Sequence, residues 1–203
     1  MTFIRITQKL QKEIGVKAAD LVMYEKPRGA FQEWYAHVFI LDRKKQVIFV
    51  EAQTLFSFCV GNLARKDIRE RFPELFEKGL GKALYVEGVS GDAVSKIMNV
   101  CRSQMCFAKT ENRRTIGAMN ELVKQHKYSF YYQDRPMDVQ DRCNRYMLMR
   151  GFPNGSKGYQ FPIDAFAKML KEQYGFDFTP HKQDAIKKIF SEKSLRYEQE
   201  EQA

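Results

Sequence analysis

The sequence predicts an α+β fold in which a mainly antiparallel sheet, containing a β-hairpin, is packed by several helices. The hairpin is indicated by residues 34–52, where two apolar runs with alternating side chains flank a short polar turn. The helices are indicated by apolar stripes at helical spacing, which occupy most of the chain after residue 60. Apolar residues make up 44% of the chain and aromatic residues 13%, which is too much for a disordered protein.

The first elements are a strand and a short helix. Residues 2–6 alternate between polar and apolar side chains, as a half-buried strand does. Thr7 stands where a helix N-cap is expected, and Gly15 stands where the helix should stop. Residues 21–24 are a candidate second strand.

The hairpin takes residues 34–41 and 47–52 as its strands and residues 42–45 as its turn. Both faces of the hairpin are largely apolar, and strands of this kind lie inside a sheet that is covered on both sides. We therefore expect helices to pack on both faces of this sheet.

Helices dominate the next part of the chain. Asn62 can cap a helix that Pro73 interrupts, and the apolar pattern continues to Gly79. Ser90 can cap the helix that follows. Farther on, the aromatic run at residues 128–133 favours a strand, because aromatic side chains are common in sheets.

The C-terminal part is also predicted to be helical. A helix pattern at residues 134–147 and turn-forming residues at 151–158 place a boundary near residue 150. We expect residues 1–150 to form the α+β core domain. Residues 151–203 then form a helical extension that packs on this core, because its short helices cannot stand alone, and the last residues fray.

The chain is basic, with 34 Lys and Arg residues against 25 Asp and Glu residues and a formal net charge of +9. This excess attracts anionic partners over long range without naming one. No apolar run approaches the ~20 residues that cross a bilayer, and the N-terminus lacks the apolar core of an export signal. We expect a cytoplasmic protein with no membrane association.

The sequence shows no motif for a familiar cofactor or catalytic mechanism. A phosphate-binding loop, a dinucleotide fingerprint, a nucleophile elbow and a zinc-protease motif are all absent. The cysteines lack the close pairing of zinc ligands, which favours buried, reduced thiols. The sequence thus predicts no cofactor and no metal site, and it leans against an enzyme.

The candidate binding site is the stretch KTENRRTIGAMN at residues 109–120. Lys109 and Arg113 lie at the start of a predicted helix, and Thr110 or Asn112 can cap that helix. The amides and the dipole at a helix N-terminus favour an anion. The stretch therefore predicts a phosphate site, and the alternative is an ordinary capped surface helix with solvated arginines.

Aromatic residues downstream of this stretch are candidates for base stacking. If residues 128–133 form a strand, Tyr128, Phe130 and Tyr132 share one face of it and can stack nucleobases beside the basic groups. The alternative is a buried or half-buried structural strand, in which aromatic residues are ordinary.

Three segments carry a resemblance to a known family, and they are IRITQKLQKEIGVK, WYAHVFILDRKKQVIFVEAQT and KTENRRTIGAMNEL. In this order they resemble a family of bacterial proteins classed only as a domain of unknown function, over residues 1–127. The resemblance implies a bacterial, cytoplasmic protein and assigns no activity. The family motif carries over to Lys109, Thr110, Asn112, Arg113, Gly117, Met119 and Asn120. The candidate anion site comprises Lys109, Thr110, Asn112, Arg113 and Asn120.

These observations favour a non-enzymatic binding module whose partner is nucleic acid or another phosphate-bearing ligand. One alternative is a metal-dependent nuclease or hydrolase that uses carboxylates distant in sequence, such as Glu51 with Asp138. Another alternative is a module for protein–protein interaction.

Overall fold

The centre of the computed structural model is a sheet of five strands, which are β1 (Thr2–Ile6), β2 (Glu33–Leu41), β3 (Lys44–Glu51), β4 (Ser57–Leu63) and β5 (Met105–Lys109). Their order across the sheet is β4-β3-β2-β1-β5. Strand β1 runs parallel to β2 and β5, whereas β3 runs antiparallel to β2 and β4. The sheet is therefore mixed, and the predicted α+β class is confirmed.

The structure describes residues 1–22, 29–102, 104–132, 143–145, 147–150, 152–153 and 158–180. The helices that lie within these residues are α1 (Gln8–Ile14), a 3-10 turn (Ala18–Asp20), α2 (Arg65–Glu70), α3 (Phe72–Val86), α4 (Gly91–Cys101), α5 (Arg113–Tyr132) and α6 (Pro162–Tyr174). Two short strands, β6 (Met149–Arg150) and β7 (Tyr159–Gln160), form a separate antiparallel pair. No described helix combines the length and the hydropathy that a membrane span requires.

The predicted hairpin is confirmed as β2 and β3. Leu41 pairs with Lys44, so the turn between the strands has two residues, Asp42 and Arg43. Both have positive φ angles, 45° and 59°, which is the backbone of the tight turn that matches the twist of a hairpin. The short turn fixes the register and therefore decides which side chains of β2 face each side of the sheet.

One face of the sheet carries the larger core, against α1, α2, α3, α4 and α6. Trp34 of β2 is fully buried there, and its indole N–H donates to the carbonyl of Phe31 at 2.8 Å. Its ring meets the ring of Phe76 from α3 at 5.3 Å, close to perpendicular. Helix α6 closes the same core through Phe166, whose ring lies 4.5 Å from that of Phe56. The division at residue 150 stays a prediction.

The opposite face of the sheet is covered by α5. Tyr35, Phe39 and Val50 of the hairpin pack there with Met119 and Leu122 of the helix. The expected covering of the hairpin on both sides is thus confirmed. It follows that the first turn of α5 is held close to the N-terminal part of β2.

Strand β4 is absent from the sequence prediction, which assigned the cap of a helix to Asn62. Asn62 instead lies within β4 with a φ of 59°, a left-handed conformation that asparagine adopts more readily than most residues. Helix α2 begins at Arg65, and the backbone N–H of Ala64 donates to the Asp67 carboxylate at 2.9 Å. The Gly61–Asn62 pair resembles a helix start locally, but pairing with β3 outweighs that preference.

Residues 128–132, predicted as part of a strand, belong to α5. The helix runs unbroken from Arg113 to Tyr132, so Tyr128, Phe130 and Tyr132 lie on a helix. Alternate residues of a helix do not share a face, which removes the single stacking face that a strand would give. The penalty for aromatic residues in a helix is only a few tenths of a kcal/mol each. The buried apolar stripe of α5 outweighs it.

Other sequence predictions fall largely outside the described residues. They are the candidate strand at 21–24, the helix at 134–147, the linker at 151–158 and the chain end from residue 181. Within the first of these segments, Val22 forms an isolated parallel bridge with Ala108.

Gly79 does not end a helix, as the sequence pattern suggested, but lies inside α3 where the helix meets β4. A Cβ atom added there would lie 2.6 Å from Cγ2 of Val60 and 2.7 Å from Cε2 of Phe58. Gly81, two residues farther along the helix, has nothing within 4 Å of such an atom. The two glycines therefore form a matched pair for testing how closely α3 packs on the sheet.

We expect Gly79→Ala to lower the free energy of unfolding by about 1–3 kcal/mol, because the added methyl overpacks the core. Gly81→Ala should instead raise it by about 0.5–1 kcal/mol, since alanine is the better helix former. Urea denaturation of both variants checks these opposite signs. Equal shifts in one direction would contradict the packing of α3 against β4.

Candidate functional site

The corner between β5 and α5 contains most of the sequence-predicted site. Asn112 caps the helix: its Oδ1 accepts the backbone N–H of Arg114 at 2.9 Å and that of Thr115 at 3.3 Å. Its carbonyl accepts the N–H of Ile116 at 3.0 Å. Asn112, and not Thr110, is therefore the cap, and it satisfies two of the amides that an anion at the helix start would otherwise use.

Tyr35 of β2 binds the backbone of this cap residue from the sheet. The backbone N–H of Asn112 donates to the Tyr35 hydroxyl at 3.1 Å. Burial raises the pKa of the Tyr35 phenol above its usual value, although the backbone N–H groups of Asn112 and Glu111 oppose the rise. In a capping box, the third residue of the helix would bind the N–H of the cap residue. Here Tyr35 takes that role.

The side chain of Thr115, the third residue of α5, is therefore not needed to bind the backbone N–H of the cap residue. Its side chain is fully buried, and its Oγ1 has no hydrogen-bond partner among the described residues. A buried hydroxyl without a partner costs about 1–3 kcal/mol, so native proteins rarely retain one without a reason. Thr115 was not singled out by sequence reasoning.

Arg5 of β1 is the charged centre of the corner and is 1% exposed. Its Nε binds the carboxylate of Glu33, its Nη1 donates to the carbonyl of Lys109 at 2.8 Å, and Nη1 lies 3.6 Å from Oε1 of Glu111. Burial would lower the pKa of Arg5, but the hydrogen bond and the charge of Glu33 outweigh it, and the pKa is raised. Arg5 stays charged and ties β1 to β2 and to the end of β5.

A cavity of about 320 Å³ opens beside this corner. Its polar wall comes from β1, β2, the turn after β3 and the start of α5, and includes Arg5, Glu33, Gln53, Glu111, Asn112 and Thr115. The volume lies at the lower end of the range of about 300–1,000 Å³ that small-molecule sites occupy. Most of this wall was missed by sequence reasoning, because the residues that form it are far apart in the chain.

The other sequence-predicted residues have different surroundings. Lys109 is exposed at the end of β5, Thr110 is half-buried, and Arg113 is exposed at the first position of α5. Asn120 is exposed farther along the helix, about 12 Å from Asn112 at a rise of 1.5 Å per residue, and does not line the cavity. The structure thus brings four of the five predicted residues to one corner and leaves Asn120 apart from them.

Three cations are gathered at this corner. Lys109, Arg113 and Arg114 are exposed, and no ion pair joins any of them to a described residue. They stand at the N-terminal, positive end of a 20-residue helix, where positive side chains are unfavourable. A bound anion at this corner would relieve the repulsion.

Glu51, the carboxylate that sequence reasoning named for a hydrolase, holds the turn after β3. Its Oε2 accepts the N–H of Gln53 at 2.9 Å, the N–H of Thr54 at 2.7 Å and the Thr54 hydroxyl at 2.8 Å. Burial raises the pKa of Glu51 to about 7, against these hydrogen bonds. Its proposed companion Asp138 lies outside the described residues. Within those residues, no group of three metal-ligand side chains occurs.

A histidine–cysteine contact lies deeper in the sheet. Nε2 of His126 is 3.4 Å from Sγ of Cys59, and burial lowers the pKa of His126 to about 4. Burial also raises the pKa of the Cys59 thiol well above its usual value. A neutral imidazole beside a protonated thiol is a core contact, because the nucleophilic form of cysteine is the thiolate.

Comparison with known protein families gives a match over most of the chain. The model of a family described as "Domain of unknown function (DUF6933)" matches residues 3–165, which include the sheet, the corner and the start of α6. The match confirms the resemblance to a domain of unknown function that residues 1–127 carry, and it extends farther along the chain. No curated protein matches the chain.

Proposed function

The chain belongs to the DUF6933 family of domains of unknown function, and we propose that it is a non-enzymatic module that binds nucleic acid through phosphate contacts at the corner between β5 and α5. The observation that carries the proposal is the trio of exposed cations, Lys109, Arg113 and Arg114, at the positive end of α5. A phosphate placed among them gains attraction from the three side chains and from the helix dipole.

The way in which Asn112 caps the helix defines the kind of contact. Because its side chain occupies the N–H groups of Arg114 and Thr115, the phosphate contacts come mainly from the side chains at the helix start. Contacts of this kind position a nucleic acid and contribute affinity, but they do not read its sequence. The net charge of +9 supports the encounter over longer range.

The alternatives have weaker support. A metal-dependent hydrolase would require carboxylates from beyond the described residues, because those residues contain no group of three metal-ligand side chains. Base stacking on one strand face is excluded, because residues 128–132 are helical. Tyr128 is nevertheless exposed on α5.

We expect Arg113→Ala to weaken binding of labelled single-stranded RNA and DNA about equally across sequences. It should also reduce the slope of log affinity against log salt by about one unit, because one phosphate contact is lost. Fluorescence anisotropy at low and near-physiological salt measures both quantities. The Arg113 side chain is exposed, so the variant should fold normally.

The matched control is Arg102→Ala, which removes the same charge from the end of α4. Arg102 is 58% exposed and pairs with Glu77, so its loss changes the net charge without touching the corner. Binding that falls equally in the two variants would show that net charge alone attracts the nucleic acid. That result would contradict a site at the start of α5.

A further inference from the structure

The cavity beside the corner explains the missing partner of Thr115 if a ligand enters it. Thr115 lies in the wall of the cavity, and its buried Oγ1 has no hydrogen-bond partner among the described residues. The cations of the corner lie a few residues away in the chain, at Lys109 and Arg113. A polar cavity and exposed cations are thus combined at one end of α5.

We propose that the cavity holds the base of a nucleotide whose phosphate lies at Lys109 and Arg113, so that the ligand is a nucleoside phosphate. This inference rests on the proposed function and gives it a chemical class. A paired base presents only its groove edges, whereas an unpaired base exposes the whole polar edge that a cavity can bind. The ligand is therefore a free nucleotide or one unit of a single strand, and the two share the same chemistry.

The size of the cavity fits this class of ligand. Its volume of about 320 Å³ suits one base with part of its sugar and leaves no room for a base pair. Glu111 and Asn112 belong to the cavity wall, while Lys109 and Arg113 flank them in the chain. One nucleotide in the cavity can therefore extend toward these two cations.

The chemistry of the wall selects among bases. Glu33 and Glu111 bring two carboxylates, which accept hydrogen bonds, and the two share the single guanidinium of Arg5. Glu111 is half exposed and accessible to a ligand. A carboxylate accepts a hydrogen bond from the amino group of cytosine. It repels the carbonyl oxygen that uracil carries at the same ring position. An amino-bearing base is therefore preferred to uracil.

The test is calorimetric titration of the full chain with cytidine monophosphate, uridine monophosphate and inorganic phosphate. We expect the cytidine nucleotide to bind more tightly than the uridine nucleotide, and Glu111→Gln to reduce the difference between them. Thr115→Val should weaken binding of the cytidine nucleotide about fivefold, which is the value of one hydrogen bond of average strength. Thr115→Ser, which retains the hydroxyl, should stay near wild type.

Several results would overturn the inference. Equal binding of the two nucleotides, or wild-type affinity in Thr115→Val, would show that the base does not enter the cavity. Thr115→Val has the shape of threonine, so its melting temperature should not fall. A large fall would show that Oγ1 already has a partner within the protein. The exposed Glu111→Gln variant keeps the base preference testable in that case.

The proposed function can survive the failure of this inference. If Arg113→Ala weakens binding of a single strand while Thr115→Val leaves that binding unchanged, the result supports the phosphate site and contradicts the cavity site. A parallel titration with a single-stranded oligocytidine distinguishes a free nucleotide from one unit of a nucleic acid strand. Tighter binding of the strand than of the mononucleotide identifies nucleic acid, and equal binding identifies the free nucleotide.

Discussion

Arg5→Met should lower the free energy of unfolding by about 3 kcal/mol, the lower end of the effect of breaking a buried ion pair. Arg5 is buried, and its guanidinium binds Glu33 and donates to the carbonyl of Lys109. Its removal leaves the Glu33 carboxylate, which is only 18% exposed, without the cation that compensates it. Urea denaturation measures the loss. The same variant should weaken nucleotide binding, because the end of β5 loses its anchor.

The control for this prediction is the double variant Arg5→Met with Glu33→Gln. It also removes the uncompensated carboxylate of Glu33, so it should recover part of the stability that Arg5→Met loses. Recovery would assign the effect to the ion pair, whereas an equal loss in both variants would assign it to packing of the long side chain. A loss below about 0.5 kcal/mol in Arg5→Met, which is typical of a surface substitution, would contradict the role of Arg5 at the corner.

Glu51 should make the stability of the protein depend on pH. Burial raises its pKa in the folded chain to about 7, from an ordinary value of 4.5. Between these values the folded chain binds the proton that the unfolded chain has lost. The stability that the protonated carboxyl contributes is therefore complete below about pH 4.5 and is lost as the pH rises through 7. The full difference corresponds to about 3 kcal/mol at 1.36 kcal/mol per unit.

The variant that isolates this effect is Glu51→Gln, whose side-chain carbonyl can still accept the hydrogen bonds of Gln53 and Thr54. His37 and His126 also titrate, but burial lowers the pKa of each to about 4, so they reduce stability as the pH falls below 6.5. The difference between wild type and variant removes their contribution. Urea denaturation at pH 5 and pH 8 should show the wild type losing stability relative to the variant at the higher pH. Parallel profiles would contradict a buried carboxyl at this turn.

Local signals were enough to predict much of the fold. The hairpin, the caps at Thr7 and Ser90 and the end of α1 at Gly15 depend on residues near in sequence, and the structure confirms them. Strand β4 could not be found in this way, because the pairing of residues 57–63 with β3 overrides their local preference. The helical state of residues 128–132 likewise depends on the packing of α5 against the sheet.

The candidate site also has a part that local sequence signals predict and a part that depends on distant residues. The helix start at Asn112 and Arg113 was visible in the sequence, since capping is local. The cavity was not visible in the sequence, because its wall is formed by residues that are far apart in the chain. Arg5 donates to the carbonyl of Lys109, 104 positions away, since β1 pairs with β5 in parallel. One signal was present in the sequence. Arg5 interrupts an apolar strand, and a buried charge in a strand must have a partner.

The most direct test of a nucleotide site at the start of α5 is a two-dimensional amide NMR spectrum of the isotope-labelled protein, titrated with a single-stranded oligocytidine. We predict that the amide signals of residues 109–116 and of Gln53 shift together and saturably, while those of α1 and α3 stay in place. Shifts that spread over the basic surface and vanish with added salt would contradict the site. So would saturable shifts confined to residues remote from the corner.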